Sequence, residues 1–129
     1  MPLIRIDGIK GRSKNQITSL LDAVHRAVLS AFKVPLRDRY QIYQEHAASN
    51  FVVEDTGLKI ERTKNVVIVT VFSRPRTRKA KQTFYRDLCR ELKKSCNIDP
   101  SDVVVSIFTN TDADWSFGEG RAQFLTGEL

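Results

Sequence analysis

Apolar and polar positions alternate from the start of the chain. Pro2-Leu3-Ile4-Arg5-Ile6-Asp7 therefore predicts a strand that begins beside the amino terminus. Gly8 and Gly11 mark a turn. The period then lengthens: Ile17, Leu20, Leu21, Val24, Ala27, Val28 and Ala31 follow helical spacing to about Phe32. Ser13-Lys14-Asn15-Gln16 fits a capping box at the start of that helix, and Pro35 prevents it from continuing. Tyr40 to Glu45 alternates again and carries aromatics, as a strand with one polar face does. Residues 46–64 are polar and irregular apart from Phe51-Val52-Val53, a connection without the low-complexity composition of an interdomain linker. Val66 to Phe72 is a nearly unbroken β-branched run, which predicts a central strand covered on both faces. A second helix is expected from about Thr77 to Ser95, with Ala80, Phe84, Leu88 and Leu92 as its buried stripe. Pro100 follows it, and Val103 to Phe108 reads as another buried strand. The segment from Thr109 to Leu129, rich in glycine and aromatics, is expected to end in a short hairpin.

Strand, helix and strand thus occur twice in order. The expected fold class is α/β (α+β): two pseudo-symmetric βαβ units in a single domain over residues 1–129, forming a four-stranded sheet with both helices on one face. The other face of such a sheet is left wet in a lone chain, so association through it is expected.

Composition narrows the function. The chain has 129 residues, 41% of them hydrophobic and 28% charged, as in ordinary soluble domains. No segment has the length and apolarity of a membrane span, and no signal peptide is evident, so no membrane partner and a cytoplasmic location are expected. Cys89 and Cys96 lie seven residues apart on one helix face, too far to bond to each other, and are expected to be reduced and buried. His25 and His46 are the only histidines, and no Cys/His spacing suits zinc; no metal or other cofactor is expected. A net charge of +6 suggests an anionic partner. Much of the excess lies between Arg74 and Lys94, on a segment with a regular apolar face and without interleaved aromatics. A small anionic molecule is therefore favoured over nucleic acid.

Pro2 carries the most distinctive chemistry. Removal of Met1 would leave it with a free secondary amine at the chain terminus, a group that titrates near neutrality at about 7.7–8.0 when unperturbed. Such an amine serves as acid, base or nucleophile, and a strand starting at Leu3 would hold it in the body of the fold.

Four separated segments carry a resemblance over essentially the whole chain: Val34-Pro35-Leu36-Arg37-Asp38-Arg39-Tyr40, Ser73-Arg74-Pro75-Arg76, Asp112-Ala113-Asp114-Trp115-Ser116-Phe117-Gly118 and the closing Phe124-Leu125-Thr126-Gly127-Glu128-Leu129. With Pro2 and the doubled βαβ order, they resemble the tautomerase superfamily and, within it, the malonate semialdehyde decarboxylases. The resemblance implies a homotrimer with sites near the amino termini, often completed by neighbouring subunits. It implies that Pro2 is the catalytic amine, that Asp38 bonds to it or orients water, and that Arg74 and Arg76 bind the oxygen atoms of a small oxo-acid substrate. Trp115, Phe117, Phe124 and Leu129 would form an apolar wall. The implied reaction is cofactor-independent conversion of malonate semialdehyde to acetaldehyde and carbon dioxide.

On residue chemistry alone, alternatives remain open. Arg74 and Arg76 share one face of an extended stretch and can hold a carboxylate, yet they equally suit the surface of a basic helix start. Asp38 suits a turn, and Trp115 and Phe117 suit a subunit interface. Keto–enol tautomerisation of a phenylpyruvate-type 2-oxo acid, hydration of an unsaturated acid with Asp38 activating water, or a non-enzymatic basic binding module are the competing functions.

Overall fold

The computed structural model describes residues 1–129. Strand β1 (Leu3–Ile9) leads through Gly11, at φ 141°, into helix α1 (Lys14–Phe32). Ser13 caps α1 reciprocally with Gln16, as the sequence suggests, and Lys33 ends it in the left-handed conformation. Strand β2 (Tyr40–His46) follows, and a long connection leads to β3 (Val67–Ser73). Helix α2 (Arg78–Cys96) is capped by the Thr77 hydroxyl and closed by left-handed Asn97. Strand β4 (Val103–Thr109) completes the sheet, and a single helical turn, α3 (Gln123–Thr126), lies near the end.

The strand order is β2-β1-β3-β4. β1 runs parallel to β2 and antiparallel to β3, and β3 runs parallel to β4, so two right-sized βαβ units meet along the central β1–β3 pair. Ile4 and Ile6 of β1 and Val67, Val69 and Val71 of β3 turn inward beneath the two helices. Leu20, Val24 and Val28 of α1 and Phe84, Leu88 and Leu92 of α2 close the core from above. Period 2 meeting period 3.6 is what makes this sandwich dry.

Four expectations are corrected. β4 is not a buried strand: it lies at the sheet edge, none of its residues is fully buried, and Phe108 is exposed. β3 is buried on one face only: Ile68, Thr70 and Phe72 are half-exposed within the chain, because the continuous β-branched run reflects a second, still open apolar face. The last twenty residues form no hairpin. A 3-10 turn at Asp112–Asp114, left-handed residues from Gly118 to Gly120 and α3 wind them into a compact flap held by side chains. Gln123 anchors it, accepting from Phe117 N (2.9 Å) and donating to Gly118 O (2.8 Å). Cys89 and Cys96 are free but only half-buried, and burial still raises the pKa of both thiols.

Candidate active site

The first strand starts at Leu3, so the amino terminus enters the fold with almost no free tail, and Pro2 is buried. With Met1 attached, the Pro2 nitrogen is an amide and the free amine is that of Met1. It lies 3.0 Å from Asp38 Oδ2. Asp38 is 8% exposed, and no hydrogen bond in good geometry reaches Oδ2. The amine is therefore a close counter-charge lying off the hydrogen-bond axis. A buried carboxylate oxygen without a donor is costly; the amino terminus is the cation at salt-bridge distance, and Arg76 is a further positive charge that Asp38 feels.

Asp38 is held there by its loop. His25, itself buried in α1, donates from Nε2 to Leu36 O at 2.8 Å; the carbonyl can only accept, which fixes the proton on Nε2. Asp38 N donates to Pro35 O at 3.0 Å, closing a turn. Arg39 reaches back to Asp22 at 2.7 Å and donates to Gln41, whose amide donates to Leu21 O. Three contacts to α1 and β2, with the turn closed by Asp38 N, thus immobilise the segment on which the carboxylate rides.

The arginines come from the opposite strand end. β3 pairs antiparallel with β1, Phe72 facing Leu3, so its C-terminal end lies beside the amino terminus. Buried Ser73 accepts from Arg76 Nε at 3.0 Å, and Arg76 also donates to Phe32 O, in the last turn of α1, at 3.2 Å. A guanidinium suits that negative helix end. Its carbon stands 5.0 Å from the Phe32 ring. Arg74 pairs with Asp112 at 2.6 Å and lies 4.0 Å over the Phe124 ring. Burial is the largest influence on the terminal amine and lowers its pKa. Asp38 opposes that shift, while Arg76 and then Arg74 reinforce it. Burial and Arg74 likewise lower the pKa of Arg76, which stays cationic.

A shallow concavity of about 260 Å³ opens at the amine, lined by Met1, Pro35, Arg37, Asp38, Tyr40, Phe117 and Leu129. Phe117 is gripped by aromatics: it stacks on Tyr40 (5.7 Å) and Trp115 (5.4 Å) and meets Phe124 edge-on (5.4 Å). Trp115 Nε1 donates to Asn110 Oδ1 at 2.7 Å. The eight positions singled out in the sequence therefore gather at one end of the sheet, in two tiers. Asp38, Phe117 and Leu129 line the concavity at the buried Pro2, whereas Arg74, Arg76, Trp115 and Phe124 border it. Leu129 is 66% exposed, a rim residue and not a wall on its own. Sequence reasoning gave Pro35, Arg37 and Tyr40 no place in the site, although they stand in a segment it had marked, and missed Asp112 as the partner of Arg74.

The arrangement offers an amine, a carboxylate and two guanidinium groups beside a small apolar surface: the means to bind a small organic acid and exchange a proton with it. Comparison with known proteins points the same way. Models described as tautomerase enzyme match residues 38–118 and 2–60. The chain is 50% identical, over its full length and that of its relative, to the probable tautomerase YrdN of Bacillus subtilis (strain 168). It superposes with a TM-score of 0.97 on a malonate semialdehyde decarboxylase studied for its decarboxylase and hydratase activities, at 50% identity with 98% of each chain covered. A second malonate semialdehyde decarboxylase, FG41, solved with the inhibitor 3-bromopropiolate, gives 0.94 at 41% identity, with 98% and 97% of the two chains covered.

Proposed function

The chain belongs to the tautomerase family, and from that premise we propose that it decarboxylates a small 3-oxo acid, malonate semialdehyde, to acetaldehyde and carbon dioxide without a cofactor. The observation that carries this reading is the buried Asp38 carboxylate, whose salt-bridge partner is the chain's own terminal amine at 3.0 Å. Removal of Met1 would put the Pro2 amine in that role. An adjacent carboxylate favours the cationic form. The cation polarises the aldehyde oxygen of the substrate. The bond between C2 and the carboxylate carbon breaks, its electron pair moves into the enolate, and the negative charge that develops on oxygen is stabilised by the amine. Protonation of C2 then gives acetaldehyde. Arg74 and Arg76 hold the substrate's oxygen atoms, and the surface around Phe117 excludes water.

The test is proton NMR of fresh malonate semialdehyde with mass-verified, Met1-free protein. Acetaldehyde formed faster than in the protein-free control supports the reading; none above that control overturns it. Because Arg74 is partly exposed and braced by Asp112 and Phe124 rather than by the core, Arg74→Ala should leave folding intact. It should lower kcat/KM by about 10–100-fold, mainly through KM, which steady-state kinetics measures.

A specific observation favours a second reading. Burial outweighs Asp38 at the terminal amine and lowers its pKa, and a neutral Pro2 amine would be a base for keto–enol tautomerisation of a 2-oxo acid or for hydration. Titration of Pro2 in the processed chain separates the two chemistries.

We also propose a homotrimer assembled through the open sheet face. Phe72 and Phe108 stack there at 5.4 Å, Phe108 is 53% exposed, and Tyr40 and Ile42 are exposed on β2 at the other edge of the sheet. Tyr40 belongs both to this face and to the concavity, so a neighbouring subunit would border the site. Phe108→Asp should reduce the native mass from about three times 14.7 kDa to that of the monomer in native mass spectrometry, because a charge cannot be buried unpaired in an apolar contact. A trimer retained in this variant would place the interface elsewhere.

A further inference from the structure

The first strand and helix of the two halves of the chain correspond at an offset of 64 residues. It carries β1 (from Leu3) onto β3 (from Val67) and α1 (from Lys14) onto α2 (from Arg78). The capping hydroxyls Ser13 and Thr77 and the left-handed caps Lys33 and Asn97 obey it too. The antiparallel β1–β3 register has the same symmetry, since Leu3 faces Phe72 and Gly8 faces Val67. Each feature of the site at the amino terminus therefore has a counterpart at the opposite end of the central strand pair. Arg74 and Arg76 correspond to Lys10 and Arg12, and Pro2 to Val66; the second strands, β2 from Tyr40 and β4 from Val103, are offset by 63, so Asp102, one residue before β4, stands near the place of Asp38, two residues before β2.

At that opposite end lies the larger cavity of the molecule, about 810 Å³. Lys10, Arg12, Lys64 and Lys94 line it, and no aspartate or glutamate does. None of the four makes a salt bridge, in contrast to Arg74 with its Asp112. Arg12 is positioned by neutral groups, donating to Asn65 O (2.7 Å) and Tyr43 Oη (3.3 Å). It crosses β1 at Gly8, where a Cβ would lie 2.7 Å from its Nη1. Ile9, Leu20 and Ile98 supply an apolar floor.

The counterparts of the chemical groups are disarmed. Val66 holds an amide in place of an amine, and its N–H donates to Thr63 O at 3.1 Å. Asp102 accepts from both the amide, at 2.7 Å, and the hydroxyl of Thr63. Cations remain where the acid–base pair does not.

We propose that this cavity is a second, non-catalytic binding site for a small di- or tricarboxylate. The Lys10–Arg12 pair occupies the position of the arginines read above as oxo-acid ligands, and Lys64 and Lys94 match further carboxylate groups. Only the choice of carboxylates rests on that reading; the cavity and its uncompensated cations stand without it.

Citrate titrated into the protein at low salt, followed by calorimetry and amide NMR, tests the proposal. Saturable binding should perturb Lys10–Gln16 and Lys94–Ile98. It should weaken at least about 10-fold in the doubly substituted Lys64→Ala, Lys94→Ala chain, whose side chains make no internal hydrogen bond or salt bridge, because charge-assisted contacts are lost. Arg74→Ala should bind citrate as the parent does. Absence of saturable binding, or binding lost in Arg74→Ala but kept in the double variant, would overturn the second site. Equal or tighter binding of inorganic pyrophosphate at the same amides would overturn its assignment to carboxylates. Neither result depends on turnover at Pro2, so failure here and failure of the decarboxylase reading are distinguishable.

Discussion

Pro2→Ala in a chain freed of Met1 should lose decarboxylation by about 10²–10⁴-fold in kcat, the range supplied by a positioned proton donor or acceptor. The substitution keeps a terminal amine in place but exchanges a ring-fixed secondary amine for a mobile primary one, so the position of the charge and its proton affinity change together. Pro2 is buried and one residue from the first strand, and an alanine there removes little apolar contact. Thermal unfolding should therefore be nearly that of the parent, and circular dichroism checks it. A stronger form of the same result comes from the parental sequence with Met1 retained. There the Pro2 nitrogen is an amide with no basicity, and the amine against Asp38 belongs to a flexible residue. That protein should fold identically and match Pro2→Ala in inactivity. Turnover by Met1-bearing protein, verified by intact mass, would remove Pro2 from the chemistry.

How much of this was legible beforehand depends on the range of the interactions involved. The strands and helices were written in local periodicity: Ser13 with Gln16, the α1 stripe ending before Pro35, and β-branched Val67 to Val71 each specify their element from neighbours a few residues away. The flap after Thr109 was not legible, because what shapes it is a set of side-chain bonds such as Trp115 to Asn110 and Gln123 to the Phe117 and Gly118 backbone. Glycines and aromatics suit a hairpin equally well until those partners are known. In the site, residue types pointed to acid chemistry, but adjacency did not follow from spacing. Asp38 meets the amine because β1 and β2 run parallel and the α1 loop is pinned by His25 and Arg39. Arg74 meets Asp112 because β3 and β4 end at the same level, with Ser73 paired to Thr109. The 64-residue offset was invisible for the opposite reason: the backbone is symmetric while the side chains differ, Pro2 against Val66 and Phe32 against Cys96.

The balance at the amine decides which reaction the site performs, and Asp38→Asn shifts that balance with the least disturbance of shape. Burial, Arg76 and Arg74 all lower the proton affinity of a terminal amine in this place, and Asp38 is the influence that raises it. Asparagine is isosteric and keeps a carbonyl oxygen near the amine but carries no charge, so the pKa of Pro2 should fall. For a cationic Pro2, activity is present below that pKa and is lost as pH rises through it. Lowering the pKa moves the loss to lower pH, and decarboxylation at pH 8 should drop at least about 10-fold while partly recovering in acid. For a neutral Pro2 acting as base, the sign reverses: activity is present above the pKa, so Asp38→Asn extends it toward lower pH and spares the rate at neutrality. The pH profile of kcat/KM for parent and variant reads this directly, because it reports the free enzyme's groups. The first pattern keeps Pro2 as the cation that draws electrons from the breaking bond; the second would turn the same amine, carboxylate and arginines into a tautomerase.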